Sequence, residues 1–188
     1  VATILREAGV NAGSLYHFFP SKEALLEGVL EQYIRWLRPV VLAPAERATD
    51  DPIERVFALL AWYREGLVAS ACTLGCPIGN LALELGDSNP GACRLIHQNF
   101  ENWARGVCAW LQRAGDRLPG EIDRMQLARF VLTTMEGGIM QARAAGAIEP
   151  FDDAVAQLRA YFRALEALAR ARTSHGLPSE RNRHASEH

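Results

Sequence analysis

The chain has 188 residues, 49% of them hydrophobic, and a formal net charge of −2. That apolar share is enough for a packed core and excludes a disordered chain. No apolar run reaches the roughly 20 residues of a membrane-spanning helix, and the near-neutral charge gives no chain-wide attraction to nucleic acid.

Helices are expected throughout, because apolar residues recur at three and four rather than two. Residues 1–8 read as the back end of a helix stopped by Gly9, a residue suited to the left-handed turn after a helix. Asn11 then offers a side-chain cap to a short helix over 12–18, which Pro20 ends. Ser21 caps a longer helix with Leu25, Leu26, Val29, Leu30, Tyr33, Ile34 and Leu37 on one face, and Pro39 breaks it. A linker is expected over 39–51, with Pro44 and a polar run before Pro52. From Pro52 a helix carries Ile53, Val56, Phe57, Leu60, Tyr63 and Leu67. A short segment over 75–85 and a turn-rich stretch over 86–91 lead to a long helix with Ile96, Phe100, Trp103, Val107 and Trp110. Pro119 and Gly120 precede a helix over 121–145, apolar nearly all round between Leu127 and Met135. The last helix begins near Phe151 and carries Val155, Leu158, Tyr161, Phe162, Leu165 and Leu168. The expectation is an all-α protein: a unit over 1–38, a linker over 39–51, a second unit over 52–172, and a disordered polar tail over 173–188.

The four cysteines, Cys72, Cys76, Cys93 and Cys108, lack zinc-finger spacing. The chain opens at Val1 without a signal-peptide pattern, so it reads as cytoplasmic, with free thiols and a lost natural start. No cofactor or metal is expected.

The segment from Ala8 to Leu26, AGVNAGSLYHFFPSKEALL, reads as helix end, tight turn, short capped helix, turn and new capped helix. That is the helix-turn-helix arrangement, whose second helix presents its front end to the major groove. Ala8, Val10, Leu15 and Phe19 fall on its inward side; Asn11, Gly13, Ser14, Tyr16 and His17 fall outward. No carboxylate lies between Gly9 and Lys22, and Lys22 is the only lysine of the chain. Small, uncharged or hydrogen-bonding groups suit close approach to DNA, and the amides of two capped helix starts suit phosphate oxygens.

This run resembles the helix-turn-helix of the TetR (tetracycline-repressor-type) family of transcriptional regulators. The shared features are an Ala-Gly-Val turn, a small-residue stretch, Leu-Tyr, an aromatic, Ser-Lys-Glu and a leucine pair. The resemblance implies that Tyr16 contacts backbone or base, Lys22 grips a phosphate, and Ala12, Gly13 and Ser14 face the groove with His17 beside them. Ala12 offers a methyl group where base-reading members often carry a polar side chain, and a methyl still touches thymine. The family unit has an additional helix before this motif, so an N-terminally shortened protein is expected.

For the second unit the resemblance implies a small-molecule effector site and a homodimer. The large aromatics Trp62, Tyr63, Phe100, Trp103 and Trp110 are its candidate effector contacts. The stretch GCPIGNLALEL over 75–85 is similar to a branch of the family that senses electrophiles and small unsaturated acids, where the cysteine after the glycine is the sensing thiol; Cys76 matches it. The last two helices carry more apolar surface than one contact requires, which gives a candidate dimer face of Phe130, Thr134, Gly137, Gly138, Val155, Leu158, Tyr161, Phe162 and Leu165. The expected function is a ligand-responsive regulator, a repressor released from palindromic DNA by its effector, with no membrane partner and no enzymatic activity. The alternatives are an all-helical cysteine enzyme, with Cys76 as nucleophile and His97 as base, or a dimeric interaction protein that does not bind DNA.

Overall fold

The computed structural model describes residues 1–85 and 89–174. Among them are helices α1 (Ala2–Ala8), α2 (Ala12–Phe18), α3 (Lys22–Trp36), α4 (Ala43–Ala48), α5 (Pro52–Ala69), α6 (Pro77–Leu85), α7 (Pro90–Arg113), α8 (Arg124–Ala145) and α9 (Glu149–Ser174), and no strand. Of the tail expected to be disordered over 173–188, Thr173 and Ser174 belong to α9 and the rest lies outside the described residues, as does 86–88 of the turn-rich 86–91 stretch.

Two compact units result. One gathers residues 1–37 and 77–102, the other 38–76 and 103 onward, so α7 gives its first half to one and its second half to the other. In the first unit Phe19 lies over Gly28, where a Cβ would come within 2.7 Å of its ring. The Asn99 amide of α7 donates to the carbonyls of Leu30 (3.2 Å) and Leu95 (2.9 Å), joining α3 to α7.

In the second unit α8 packs along α9, with α5 against both and α4 against α5. Its core includes Phe57, Leu59, Leu60, Leu111, Val131, Met135, Phe151, Leu158 and Phe162. The α8–α9 approach is close at Gly138, where a Cβ would stand 3.1 Å from the Phe151 ring. Phe57 meets Phe162 edge to face at 5.5 Å, and the Arg159 guanidinium covers Phe57 at 3.8 Å. The turn before α8 has backbone bonds of its own, from Leu118 N to the Gly115 carbonyl and from Ile122 N to that of Pro119. Arg124 adds to them, donating to the carbonyls of Gly115, Leu118, Pro119 and Ile122.

Several boundaries differ from expectation. The 39–51 linker is mostly helical: α3 runs into a π-helical stretch, Leu37–Leu42, and then α4. A widened turn accommodates Pro39, whose ring would clash with the carbonyl four residues back in a regular α-helix. Glu46 fastens the segment, accepting from Trp110 Nε1 at 3.2 Å and from Arg38 at 3.3 Å. The real break is Thr49–Asp51, where Thr49 is extended and Asp51 caps α5 through the amides of Ile53 (2.8 Å) and Glu54 (3.2 Å). Helix α8 starts three residues later than expected because Asp123 caps it through Met125 and Gln126. Helix α9 starts two residues earlier, with Pro150 in its first turn.

Candidate functional site: a nucleic-acid interface and an effector unit

The short helix α2 is defined by its ends. Gly9 is left-handed at φ 65°, and its amide reaches back to Arg6 while Val10 bonds Leu5, which turns the chain sharply out of α1. Asn11 Oδ1 accepts from Ser14 N at 2.8 Å. Gly13 sits beneath this cap, where a Cβ would approach Asn11 Oδ1 at 3.3 Å. Ser21 caps α3 through Ala24 N at 3.1 Å, and Lys22 extends from the first position of α3 into solvent.

Asn11, Ala12, Gly13, Ser14, Tyr16, His17 and Lys22 are all exposed, with Tyr16 at 49%. The inward set is only partly inward. Leu15 and Phe19 are half-buried, while Ala8 and Val10 are exposed, Val10 at 43%. Phe19 is covered by α3 at Gly28, while Ala8 and Val10 stay open, so position in the turn alone does not bury them. Phe18 is an exposed aromatic that sequence reasoning passed over; its ring meets His17 edge to face at 5.1 Å. Beside Lys22, the Glu23 carboxyl is held below the ordinary range, first by its own backbone amide and then by the Ser21 hydroxyl.

In the second unit α5 and α7 bring three of the expected aromatics together. Tyr63 meets Trp62 edge to face at 4.9 Å and Trp103 at 5.6 Å. Cys76 is buried, at 4% exposure, in the segment before α6. Cys76 acts electrostatically on Tyr63 and hydrogen-bonds the carboxyl of Glu136 on α8. Burial, and then the neighbouring Cys76 and Glu136, push the Tyr63 phenol well above its ordinary range. Burial likewise raises the Glu136 carboxyl, against the opposing effect of Cys76. Trp110 is committed to α4 through Glu46, and Phe100 belongs to the other compact unit, half-buried. Glu136 was not anticipated. Its signal is a lone acid between Met135 and Gly137 on the most apolar helix of the chain.

The α8–α9 surface divides the expected dimer residues. Leu158, Phe162 and Leu165 are buried inside the protomer, Gly138 is covered by Phe151, and Val155 is half-buried. Those side chains face their own core because it lies on that side of α9. The exposed stripe is one step round the helices. Phe130 (47% exposed) meets Tyr161 (41%) at 5.7 Å, near half-exposed Thr134 and a Gly137 with open space around it; Met140 and Leu168 extend it.

None of the four cysteines is joined in a disulfide, and among the described residues no cluster of side chains could hold a metal ion and no helix is long and apolar enough to cross a membrane.

Comparison with known proteins covers both ends of this arrangement. Residues 1–29 match the family described as bacterial regulatory proteins, tetR family, and residues 52–157 match the C-terminal domain of LmrA/YxaF-like transcriptional regulators. The HTH-type transcriptional repressor DhaR of Mycobacterium sp. (strain GP1) is 26% identical over 81% of this chain and 76% of its own length. The HTH-type transcriptional regulator LmrA of Bacillus subtilis is 28% identical over 73% of this chain and 71% of its own. Among solved structures, a TetR-family regulator from Agrobacterium tumefaciens superposes with a TM-score of 0.72 at 26% identity, covering 87% of this chain and 85% of that one. A regulatory protein TetR from Rhodobacter sphaeroides shares the fold with a TM-score of 0.76 at 23% identity, over 86% and 85%. A helix-turn-helix followed by a matching C-terminal helical domain leaves no room for the enzyme reading: the chain belongs to the TetR family and is a transcriptional regulator.

Proposed function

We propose that the protein is a cytoplasmic repressor that binds palindromic operator DNA as a homodimer and is released by a small-molecule effector held in its second unit. The observation that carries this reading is the exposed, carboxylate-free surface of Asn11, Ala12, Gly13, Ser14, Tyr16 and His17 beside the lone lysine Lys22. The name of DhaR, a repressor, supports the sign of regulation. The Ser14 and Tyr16 side chains read base edges or sugars, and the Lys22 ammonium holds a phosphate. Two such surfaces in a dimer engage half-sites roughly 34–36 Å apart when they are one turn of DNA apart.

The dimer face is the stripe of Phe130, Thr134, Gly137 and Tyr161, extended by Met140 and Leu168. Exposed aromatic and aliphatic groups along two adjacent helices are an unusual expense on a monomer surface and fit a two-fold four-helix contact. Trp62, Tyr63, Cys76 and Trp103 contact the effector. A bound effector acts by favouring a dimer of different half-site spacing, so that its preference between the two states lowers operator affinity.

A gel-shift titration on duplexes selected by the protein from a random library tests the reading. Affinity falls steeply with salt. Lys22→Ala weakens binding to all sequences and lowers the salt slope by about one, whereas Ser14→Ala and Tyr16→Phe alter sequence preference. A full chain that selects no duplex at low salt would sink the proposal.

A further inference from the structure

Glu136 stands out from the rest of the second unit. It is the acid of α8 that turns toward Cys76 and Tyr63, and its Oε1 is buried with no hydrogen-bond partner among the described residues. A buried carboxylate oxygen is costly to leave without a donor, and one persisting in a folded protein calls for an explanation. Cys76 brings only a weak donor to the carboxyl. The nearby surface is aromatic: Tyr63 joins Trp62 and Trp103. Glu136, Tyr63 and Trp62 are each partly exposed, whereas Oε1 itself is covered, so a ligand reaches it only by shifting a neighbouring side chain.

One ligand chemistry answers all of these features. A protonated amine gives Oε1 a charge-assisted N–H donor, and the faces of tryptophan and tyrosine attract the same cation. A neutral hydroxyl would supply the hydrogen bond without favouring the ionised carboxyl. A carboxylate ligand would set two negative charges side by side wherever Glu136 is ionised.

We propose that Glu136, with Tyr63, Trp62 and Trp103, seats an organic ammonium group, and that the effector is an amine with an apolar body. This rests on reading the second unit as the effector-binding unit. Cys76 acts here as the donor that holds Glu136 in place. The titratable groups facing Glu136 are Cys76, from the segment before α6, and Tyr63, from α5. Because burial raises the carboxyl, cation binding draws it into its charged form and displaces its proton. Amine affinity therefore rises with pH through the Glu136 titration and levels above it, while the amine remains protonated throughout.

The test uses the full chain and three probes of one size: phenethylammonium chloride, 2-phenylethanol and sodium phenylacetate, titrated by calorimetry or tryptophan fluorescence from about pH 4, near the ordinary carboxyl value, upward to about pH 8. The expected order is the ammonium at least about tenfold tighter than the alcohol, with phenylacetate weakest. Glu136→Gln should abolish both the preference and the pH dependence while keeping the far-ultraviolet circular dichroism of the wild type. Equal affinities, a preference for phenylacetate, or an ammonium preference that survives in Glu136→Gln would overturn the proposal. Should Glu136→Gln fail to fold, the wild-type order and pH profile decide alone. Running the DNA gel shift with each probe separates the two readings. DNA binding without amine binding rejects the ammonium seat and leaves the regulator standing; amine binding that never releases DNA rejects the amine as effector.

Discussion

Asp51 joins the break at Thr49–Asp51 to the rest of the second unit. Its Oδ1 takes the amides of Ile53 and Glu54, donors of the first turn of α5 that no helix carbonyl reaches, and its Oδ2 takes Arg117 Nη1 at 2.8 Å. Removing such a cap costs about 1 kcal/mol. The ion pair is about two-fifths exposed on either side, so solvent screening limits it to about 0.5 kcal/mol. Asp51→Ala should therefore lose about 1.5 kcal/mol, or roughly 3–6 °C in melting temperature for a chain of this size. Asp51→Asn keeps an oxygen for the helix amides and should lose only about 0.5 kcal/mol. The pH dependence has a definite sign. Burial works to raise the Asp51 carboxyl, but the Glu54 amide, Arg117 and the Ile53 amide outweigh it, and its pKa is lowered. A carboxyl lowered on folding stabilises fully above its unfolded value of about 3.9 and loses that contribution as pH falls through the folded value. The gap between wild type and Asp51→Asn should be full at neutral pH and close below about pH 4. Urea or thermal unfolding followed by circular dichroism measures both. An Asp51→Ala protein as stable as wild type, or a gap that widens in acid, would refute the reasoning.

Phe162 is 1% exposed and meets Phe57 edge to face, so Phe162→Ala should cost about 3–5 kcal/mol in urea unfolding, with Phe162→Leu much less harmful. Gly137→Arg or Tyr161→Asp should split the proposed dimer, halving the mass seen by light scattering while helicity persists. Arg64 and Asp152 pair at 2.7 and 2.8 Å between α5 and α9 but remain nearly half exposed; Arg64→Ala should cost no more than about 1 kcal/mol, and less in high salt.

Local chemistry made the first three helices readable. Gly9, Asn11, Pro20 and Ser21 each specify a chain reversal or a cap through their own side chain or its absence, and the structure uses all of them as such. The linker was misread because Pro39 and Pro44 are breakers only in a regular α-helix; a widened turn and a first-turn position admit both. The candidate dimer residues divide between core and surface for a different reason. A helix as apolar as α8 or α9 has more than one buried side, and periodicity cannot say which side meets its own core. Leu158 and Phe162 do, and Phe130 and Tyr161 do not. Glu136 escaped notice because a single acid in a helix ordinarily faces water; only tertiary packing turns it toward Cys76.

Arg124 carries a consequence for how the loop before α8 tolerates substitution. The carbonyls of Gly115, Leu118, Pro119 and Ile122 all accept from one planar fork at the first residue of α8. Gly115 and Pro119 also take the amides of Leu118 and Ile122 within the loop, whereas the fork alone ties all four oxygens to one side chain. Lysine, a compact ammonium with three donors, cannot span the same four acceptors. The fork thus fastens the turn after α7 to the opening of α8, and a short stretch of backbone is gripped by a side chain that follows it in sequence.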